Sequence, residues 1–131
     1  MKLEYEEWRP VPDLPTRLLN AHIRHDEAGI CVIAMPFPED DKRLLRVRFA
    51  RVLSYAWYDD FAFALGNIEY VGRPETPTFI VRNYDWPGSH AFFEESGPRH
   101  VRCYRFGTQD AIVDVVASGD AQAEWIENPD L

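Results

Sequence analysis

Two histidines in the first quarter of the chain, followed at once by two acids, have the residue types of a metal site. His22 and His25 are three residues apart, and Asp26 and Glu27 come next. On a helix both imidazoles would share a side, but on the strand and turn that the local pattern predicts they point to opposite sides. No third ligand stands at a fixed spacing from them. We therefore expect no metal and no cofactor, and interpret these residues as edge-strand and turn histidines.

A second pair of histidines has the spacing for acid–base chemistry. His90 lies on a predicted helix with Glu94 one turn later, and His100 begins the strand that follows. The two imidazoles could meet in space and move a proton. No nucleophile motif, phosphate-binding loop or paired-carboxylate pattern accompanies them, and a lone histidine on an apolar helix face is usually a packing residue. We assign no catalytic residue, and the alternative of a small-molecule-binding, hydrolase-like enzyme stays open.

A short basic stretch is the first of two well-defined charge features. Five cations fall within ten residues that contain no acid: Lys42, Arg43, Arg46, Arg48 and Arg51. Because side chains alternate along a strand, Arg46 and Arg48 must project from the same face. That face could bind an anion, or it could be a solvated face whose arginines pair with acids on a neighbouring strand.

Large aromatic rings stand beside carboxylates at the end of the same stretch, in Trp57, Tyr58, Asp59 and Asp60. Rings next to fixed charge are common at protein interfaces. Trp57 and Tyr58 have opposite orientations on a strand, so at least one of them should face outward or into a groove. These four residues are our candidate contact surface for another protein, with a core position for Trp57 as the alternative.

The second charge feature is acidic. From Asp110 onward the chain contains Asp110, Asp114 and four further acids but no basic residue. Such a segment would attract a basic partner and speed its encounter, or it could be a solvated acidic tail. We add Asp110 and Asp114 to the candidate contact residues, and expect Asp114, which interrupts an apolar strand face, to lie near an edge or a polar opening.

The elements that must position these residues are mostly strands. Alternation predicts a hairpin over residues 21–24 and 30–37, with the second arm as the central strand, and a long strand over residues 42–58 with a β-bulge near residues 50–52. A short strand over residues 78–82 and a hairpin over residues 99–106 and 111–117 follow. Asp85, Pro87, Gly97 and Pro98 favour a helix over residues 86–96. The expected fold is therefore α+β: a strongly twisted, mainly antiparallel sheet of about five to seven strands with one main helix packed on it.

Composition limits what such a fold can do. The 131 residues, 46% of them hydrophobic, predict a single globular domain over residues 1–131. A net charge of −8 disfavours nucleic-acid binding, which needs a concentrated basic face. No apolar run is long enough to cross a membrane, and the N-terminal sequence is unlike a secretory signal, so we expect a cytoplasmic protein. The two cysteines, Cys31 and Cys103, are expected to be reduced and buried.

About a third of the chain, residues 79–117, has a familiar order of features. These are Asn83-Tyr84-Asp85-Trp86, Phe92-Phe93-Glu94-Glu95-Ser96, His100, Tyr104-Arg105-Phe106, Asp110 and Ile112-Val113-Asp114-Val115-Val116. This order resembles small uncharacterised bacterial proteins, including ones similar to immunity proteins of polymorphic toxin systems. The resemblance implies a non-catalytic protein that binds and blocks a toxin domain, and it transfers no catalytic residue. The sequence alone leaves the oligomeric state open.

Overall fold

Two seventeen-residue strands lie side by side at the centre of an antiparallel sheet. The computed structural model describes residues 4–36, 42–59, 76–82 and 101–127. In this part of the chain there are seven strands: β1 (Glu4–Glu7), β2 (Leu18–Asp26), β3 (Gly29–Pro36), β4 (Arg43–Asp59), β5 (Thr78–Arg82), β6 (Val101–Gly107) and β7 (Ala111–Glu127). Their order in the sheet is β1-β5-β6-β7-β4-β3-β2, and every neighbouring pair is antiparallel.

The expected α+β class is wrong for the described residues, which form an all-β structure without a helix. Residues 86–96, on which the helix was predicted, lie outside the described residues. The strand content is also larger than the sequence pattern indicated, because β7 continues to Glu127 whereas the predicted hairpin arm ended at residue 117. The central strand is β7, whereas β3, expected at the centre, lies next to the β2 edge.

The sheet folds over on itself at bulges in the two long strands. The register of the β4–β7 ladder shifts between Phe49 and Arg51 and again between Val52 and Ser54, which confirms the predicted bulge. On β7 the same corner contains Gly119 at φ +84°, and a Cβ there would lie 3.1 Å from the Cβ of Ala50. Bulges at such corners let one pair of strands pass from one layer of a folded sheet to the other.

A backbone hydrogen bond shows how far the sheet curls. Followed across the strand registers, Leu18 of β2 is aligned with the start of β4. Gln109, just before β7, is aligned with the end of β4. The seventeen residues of β4 span roughly 50 Å when extended. The amide of Gln109 nevertheless donates to the carbonyl oxygen of Leu18 at 3.0 Å, so the two ends meet across the folded sheet.

The main core lies between the two layers of the folded sheet. It contains Leu18, Ala21, Val32, Ala34, Leu45 and Val47 from one layer, and Ile80, Tyr104, Phe106, Val113 and Val115 from the other. The proline-containing segment after β1 is non-helical, and its Val11 and Leu14 are buried in this core. A smaller apolar cluster of Phe79, Val81, Cys103 and Val116 lies on the opposite face of the sheet.

Candidate functional site

Arg46 and Arg48 lie on the same face of β4, and each forms a salt bridge with a carboxylate on another strand. Arg48 donates from Nη1 and Nη2 to the two carboxylate oxygens of Asp26 at 2.9 and 2.8 Å. Arg46 donates to Oε1 of Glu124, its partner in the β4–β7 register, with an Nε–Oε1 distance of 3.0 Å. The hydrogen bond from Arg48 is the main reason that the pKa of Asp26 falls to about 2. Both arginines are therefore paired: Arg46 with an acid on the neighbouring strand β7, as the pairing alternative predicted, and Arg48 with an acid at the end of β2, two strands away.

Asp114 lies in the interior of the sheet rather than near an edge or on the surface. Its strand is flanked by β6 and β4, and its side chain is 1% exposed. Directly opposite, Arg105 is 2% exposed and donates from Nε and Nη2 to the Asp114 oxygens at 2.7 and 2.8 Å. Burial opposes the charge of Arg105, but the hydrogen bond and charge of Asp114 outweigh it and raise the pKa of that guanidinium. Asp114 is thus out of reach of a partner protein in this structure.

The end of β4 exposes two large aromatic side chains on one face. Tyr55 is 45% and Trp57 55% exposed, and among the described residues these are the large hydrophobic side chains that face solvent. The Tyr55 hydroxyl and His25 Nε2 are 2.9 Å apart, so the end of β2 closes against this ring. Tyr58 is half-buried on the opposite face. The structure thus places Trp57 on the surface rather than in the core.

Two acidic side chains lie at the same end of the β4–β7 ladder as these rings. Asp59 is exposed and, two residues after Trp57, lies on the same face of β4. Asp59 pairs in register with Ala111, so the exposed Asp110 immediately before Ala111 lies at the same end of the ladder. Asp60 lies outside the described residues. We call Tyr55, Trp57, Asp59 and Asp110 the aromatic–acidic surface.

Of the two histidine pairs, His22 and His25 lie in the described residues, and their side chains do not come together. His22 and His25 lie on opposite faces of β2, as the strand assignment predicted, and His25 is hydrogen-bonded to Tyr55. No cluster of three or more His, Cys, Asp or Glu side chains suited to a metal occurs within the ranges described. His90, Glu94 and His100 lie outside those ranges.

The two thiols are buried as expected. Cys31 on β3 and Cys103 on β6 are free cysteines with almost no exposed surface. Burial raises the pKa of the Cys31 thiol. Burial, reinforced by the nearby charge of Asp114, raises the pKa of the Cys103 thiol well above its ordinary value. Both are therefore core residues rather than reactive nucleophiles at neutral pH.

Sequence reasoning missed two members of this region, Tyr55 and His25. In the sequence, Tyr55 alternates with its neighbours so as to share one strand face with Leu53 and Trp57. Nothing local shows that this face is exposed to solvent at the end of the strand. The His25–Tyr55 contact joins residues thirty positions apart, and only the curl of the sheet brings them together.

Comparisons with family models, curated proteins and solved structures find no match for this chain. Within the described ranges no helix has the length and apolar character to span a bilayer.

Proposed function

We propose that this chain is a non-catalytic, cytoplasmic protein-binding module that recognises a basic partner protein through the aromatic–acidic surface. The exposure of Trp57 beside Asp59 carries this proposal. Aromatic anchors contribute most of the energy at many protein interfaces, while nearby charges direct the encounter. The net charge of −8 favours a partner of opposite sign.

An immunity protein that neutralises a toxin domain is the form of this function that the resemblance over residues 79–117 favours. Such a protein needs a contact surface and no catalytic group of its own. A basic toxin domain, for example one that acts on nucleic acid, would complement the acids at the end of the β4–β7 ladder. The toxin class of partner is thus the first to test.

Anion or small-molecule binding at Arg46 and Arg48 is the weaker function. An incoming anion would have to displace Glu124 from Arg46 or Asp26 from Arg48. In the Arg48–Asp26 pair, two parallel hydrogen bonds already satisfy the geometry in which a guanidinium prefers to bind an oxyanion. No observation in the described residues favours this function over protein binding.

The test is capture of the partner by the full-length tagged chain from source-cell extract at moderate salt, followed by mass spectrometry and binding kinetics with the purified partner. We expect Asp59→Lys and Asp110→Lys each to slow association, by about tenfold at low salt, and to flatten its salt dependence. Asp120→Lys, an identical charge change at an exposed position of β7 past the corner, is the matched control. Association rates that respond equally to all three substitutions would overturn the assigned surface.

A further inference from the structure

Tyr55 and Trp57 lie on the face of β4 that forms the main core elsewhere in the sheet. In the β4–β7 register they stand directly opposite Val115 and Val113, which are buried in that core. Residues directly opposite share one face of a sheet, so both rings are on the inner face. Tyr55 is nevertheless 45% and Trp57 55% exposed. The folded sheet is therefore open to solvent beside these two rings.

The side of β2 that faces away from β3, its outer edge, borders this opening. β2 is the last strand in the sheet order. Its Leu18 carbonyl oxygen accepts from the amide of Gln109, just before β7, at 3.0 Å. Its His25 ring contacts the Tyr55 ring, with 5.7 Å between the ring centres and 2.9 Å between Nε2 and the hydroxyl oxygen. Between these two contacts β2 runs past the exposed rings.

Three residues direct their peptide groups to the outer edge. The Leu18 carbonyl points away from β3 towards Gln109, and the register has one extra residue between Leu18 and Asn20. Peptide groups of alternate residues point to the same side of a strand. The next groups on the outer edge are therefore those of Ala21, Ile23 and His25. In the ranges that the structure describes, these outward groups make no backbone hydrogen bond.

We infer that an extended segment of the basic partner pairs with the outer edge of β2 as an additional strand, and that its inward-facing side chains cover Tyr55 and Trp57. The inference rests on the proposed function and specifies its mode of recognition. In such strand addition, main-chain hydrogen bonds contribute affinity and alternate side chains contribute selectivity. Aliphatic side chains, or the stems of lysine and arginine, are suited to the two rings.

Charge favours the partner over a second copy of this chain as the occupant. The exposed Asp110 adjoins Gln109, so a segment that pairs along β2 passes this carboxylate near Leu18. A basic residue of the segment would be attracted there. Two copies of the chain, each with a net charge of −8, would instead repel each other.

The first test is amide hydrogen exchange in the full-length free chain, followed by NMR. The amides of Ile23 and His25 point to the outer edge, whereas those of His22 and Arg24 point to β3 and serve as the matched control. We expect the outward pair to exchange about tenfold faster than the control pair, or faster still. Slow exchange at Ile23 and His25 would show that another part of the chain already pairs with the edge, and would overturn the inference.

The second test supplies the additional strand as a short peptide. The peptide is acetylated and amidated, with a lysine at each end and alternating valine and threonine between them. Its control is N-methylated at each valine, which removes the donors that point to β2 when the valines face the rings.

We expect the unmethylated peptide to slow exchange at Ile23 and His25 and to shift the indole signal of Trp57. Trp57→Phe identifies that signal among the four tryptophans. The peptide should bind about tenfold more tightly than its methylated control, because the control cannot make the main-chain hydrogen bonds. Equal affinity for the two peptides would contradict strand addition.

The third test uses two substitutions at one exposed position and the captured partner. His25→Pro removes an N–H on the outer edge and leaves the ladder with β3 in place. His25→Thr also removes the imidazole and its contact with Tyr55, but it keeps the N–H. We expect the partner to bind His25→Pro about tenfold more weakly than His25→Thr. The same affinity for both variants would exclude the outer edge of β2 from the interface.

The outcomes separate this inference from the proposed function. If association with the partner responds to Asp110→Lys while His25→Pro and His25→Thr bind equally well, the proposed function stands without strand addition. If neither Asp110→Lys nor His25→Pro has an effect, the surface itself is wrong. Exchange at Ile23 that slows as the free chain is concentrated would make a second copy the occupant, and the inference would fail.

Discussion

The two halves of β7 each contribute a carboxylate to a salt bridge with an arginine, but one pair is buried and the other is at the surface. From Ala111 to Ala117 every residue is buried, and the arginine–carboxylate pair in this half, Arg105–Asp114, is excluded from water. Beyond Gly119 burial alternates, and Glu124 pairs with Arg46 at the surface. In the first half both faces of the strand are covered, so an ion there must be paired; in the second half water can take the place of the partner.

This difference shows where charge contributes to the specification of the fold. The buried pair joins residues that are directly opposite in the β6–β7 register, and a slip of one residue would move Asp114 to the other face and leave Arg105 without its carboxylate. The exposed pairs tolerate such changes because solvent screens them. We therefore assign the buried pair to register selection and the exposed pairs to modest surface stabilisation.

The largest effect is expected from Asp114→Asn, which removes a charge at nearly constant volume. The variant removes the carboxylate that receives two hydrogen bonds from the buried Arg105 guanidinium, and it should lose about 3–5 kcal/mol of unfolding free energy, measured by urea denaturation. The double variant Arg105→Met/Asp114→Leu, which removes both charges, should recover most of that loss. If Asp114→Asn alone lowered the unfolding free energy by less than about 1 kcal/mol, the buried pair would contribute no more to stability than the surface pairs do.

An intermediate effect is expected at the boundary between the two halves, from Gly119→Ala. Its φ of +84° disfavours any residue with a Cβ, and the added Cβ would be 3.1 Å from that of Ala50. Together these should cost about 1–2 kcal/mol. A double-mutant cycle with Ala50→Gly, measured as unfolding free energy, separates the two causes. Coupling between the two substitutions shows that the Cβ–Cβ contact matters, whereas strictly additive losses would leave backbone strain as the sole cause.

The smallest effect is expected from Asp26→Asn, which breaks the surface pair with Arg48 and should lower stability less than Gly119→Ala does. The pKa of Asp26 lies at about 2, below its ordinary 3.8, mainly because Arg48 donates to the carboxylate. The contribution of the pair to stability is therefore complete above pH 3.8 and is lost as the pH falls through about 2. Carboxyl NMR titration checks this, and in Arg48→Met the pKa of Asp26 should return toward 3.8. A titration midpoint that Arg48→Met leaves unmoved would remove Arg48 as the cause.

Strands with strong alternation were predictable from the sequence. Residues 42–58 were expected as a long bulged strand, and β4 spans Arg43–Asp59 with register shifts close to the expected position. The short strand over residues 78–82 coincides with β5. These signals are local, because β-branched and aromatic residues alternate with polar ones over several residues.

The continuation of β7 was not predictable in this way. Ser118-Gly119 has the composition of a turn, and residues 120–124 are polar or small, with low strand propensity. The glycine makes a corner instead, and pairing with Leu45, Val47 and Phe49 of β4 keeps residues 121–125 in the sheet. Tertiary pairing overrides local preference here.

The candidate site was predictable in part. The outward position of Trp57 followed from the strand alternation, and Asp59 and Asp110 are exposed at the same end of the β4–β7 ladder. The burial of Asp114 was not predictable, because an aspartate in an apolar strand indicates a sheet edge unless its partner is known. Arg105 becomes that partner only through the register of the β6–β7 hairpin. Likewise, the positions of Arg46 and Arg48 were predictable but their carboxylate partners were not.

The placement of β7 in the sheet also constrains the order in which the protein can assemble during synthesis. β4 is made early, yet its longest interface is with β7, and the register joins Arg43 to Glu127 across most of the chain. Until β7 has emerged from the ribosome, the apolar face of β4 that includes Leu45 and Val47 lacks its main neighbour. Folding should therefore be slow and should begin only after β7 is available, with nascent chains exposed to aggregation in the interval.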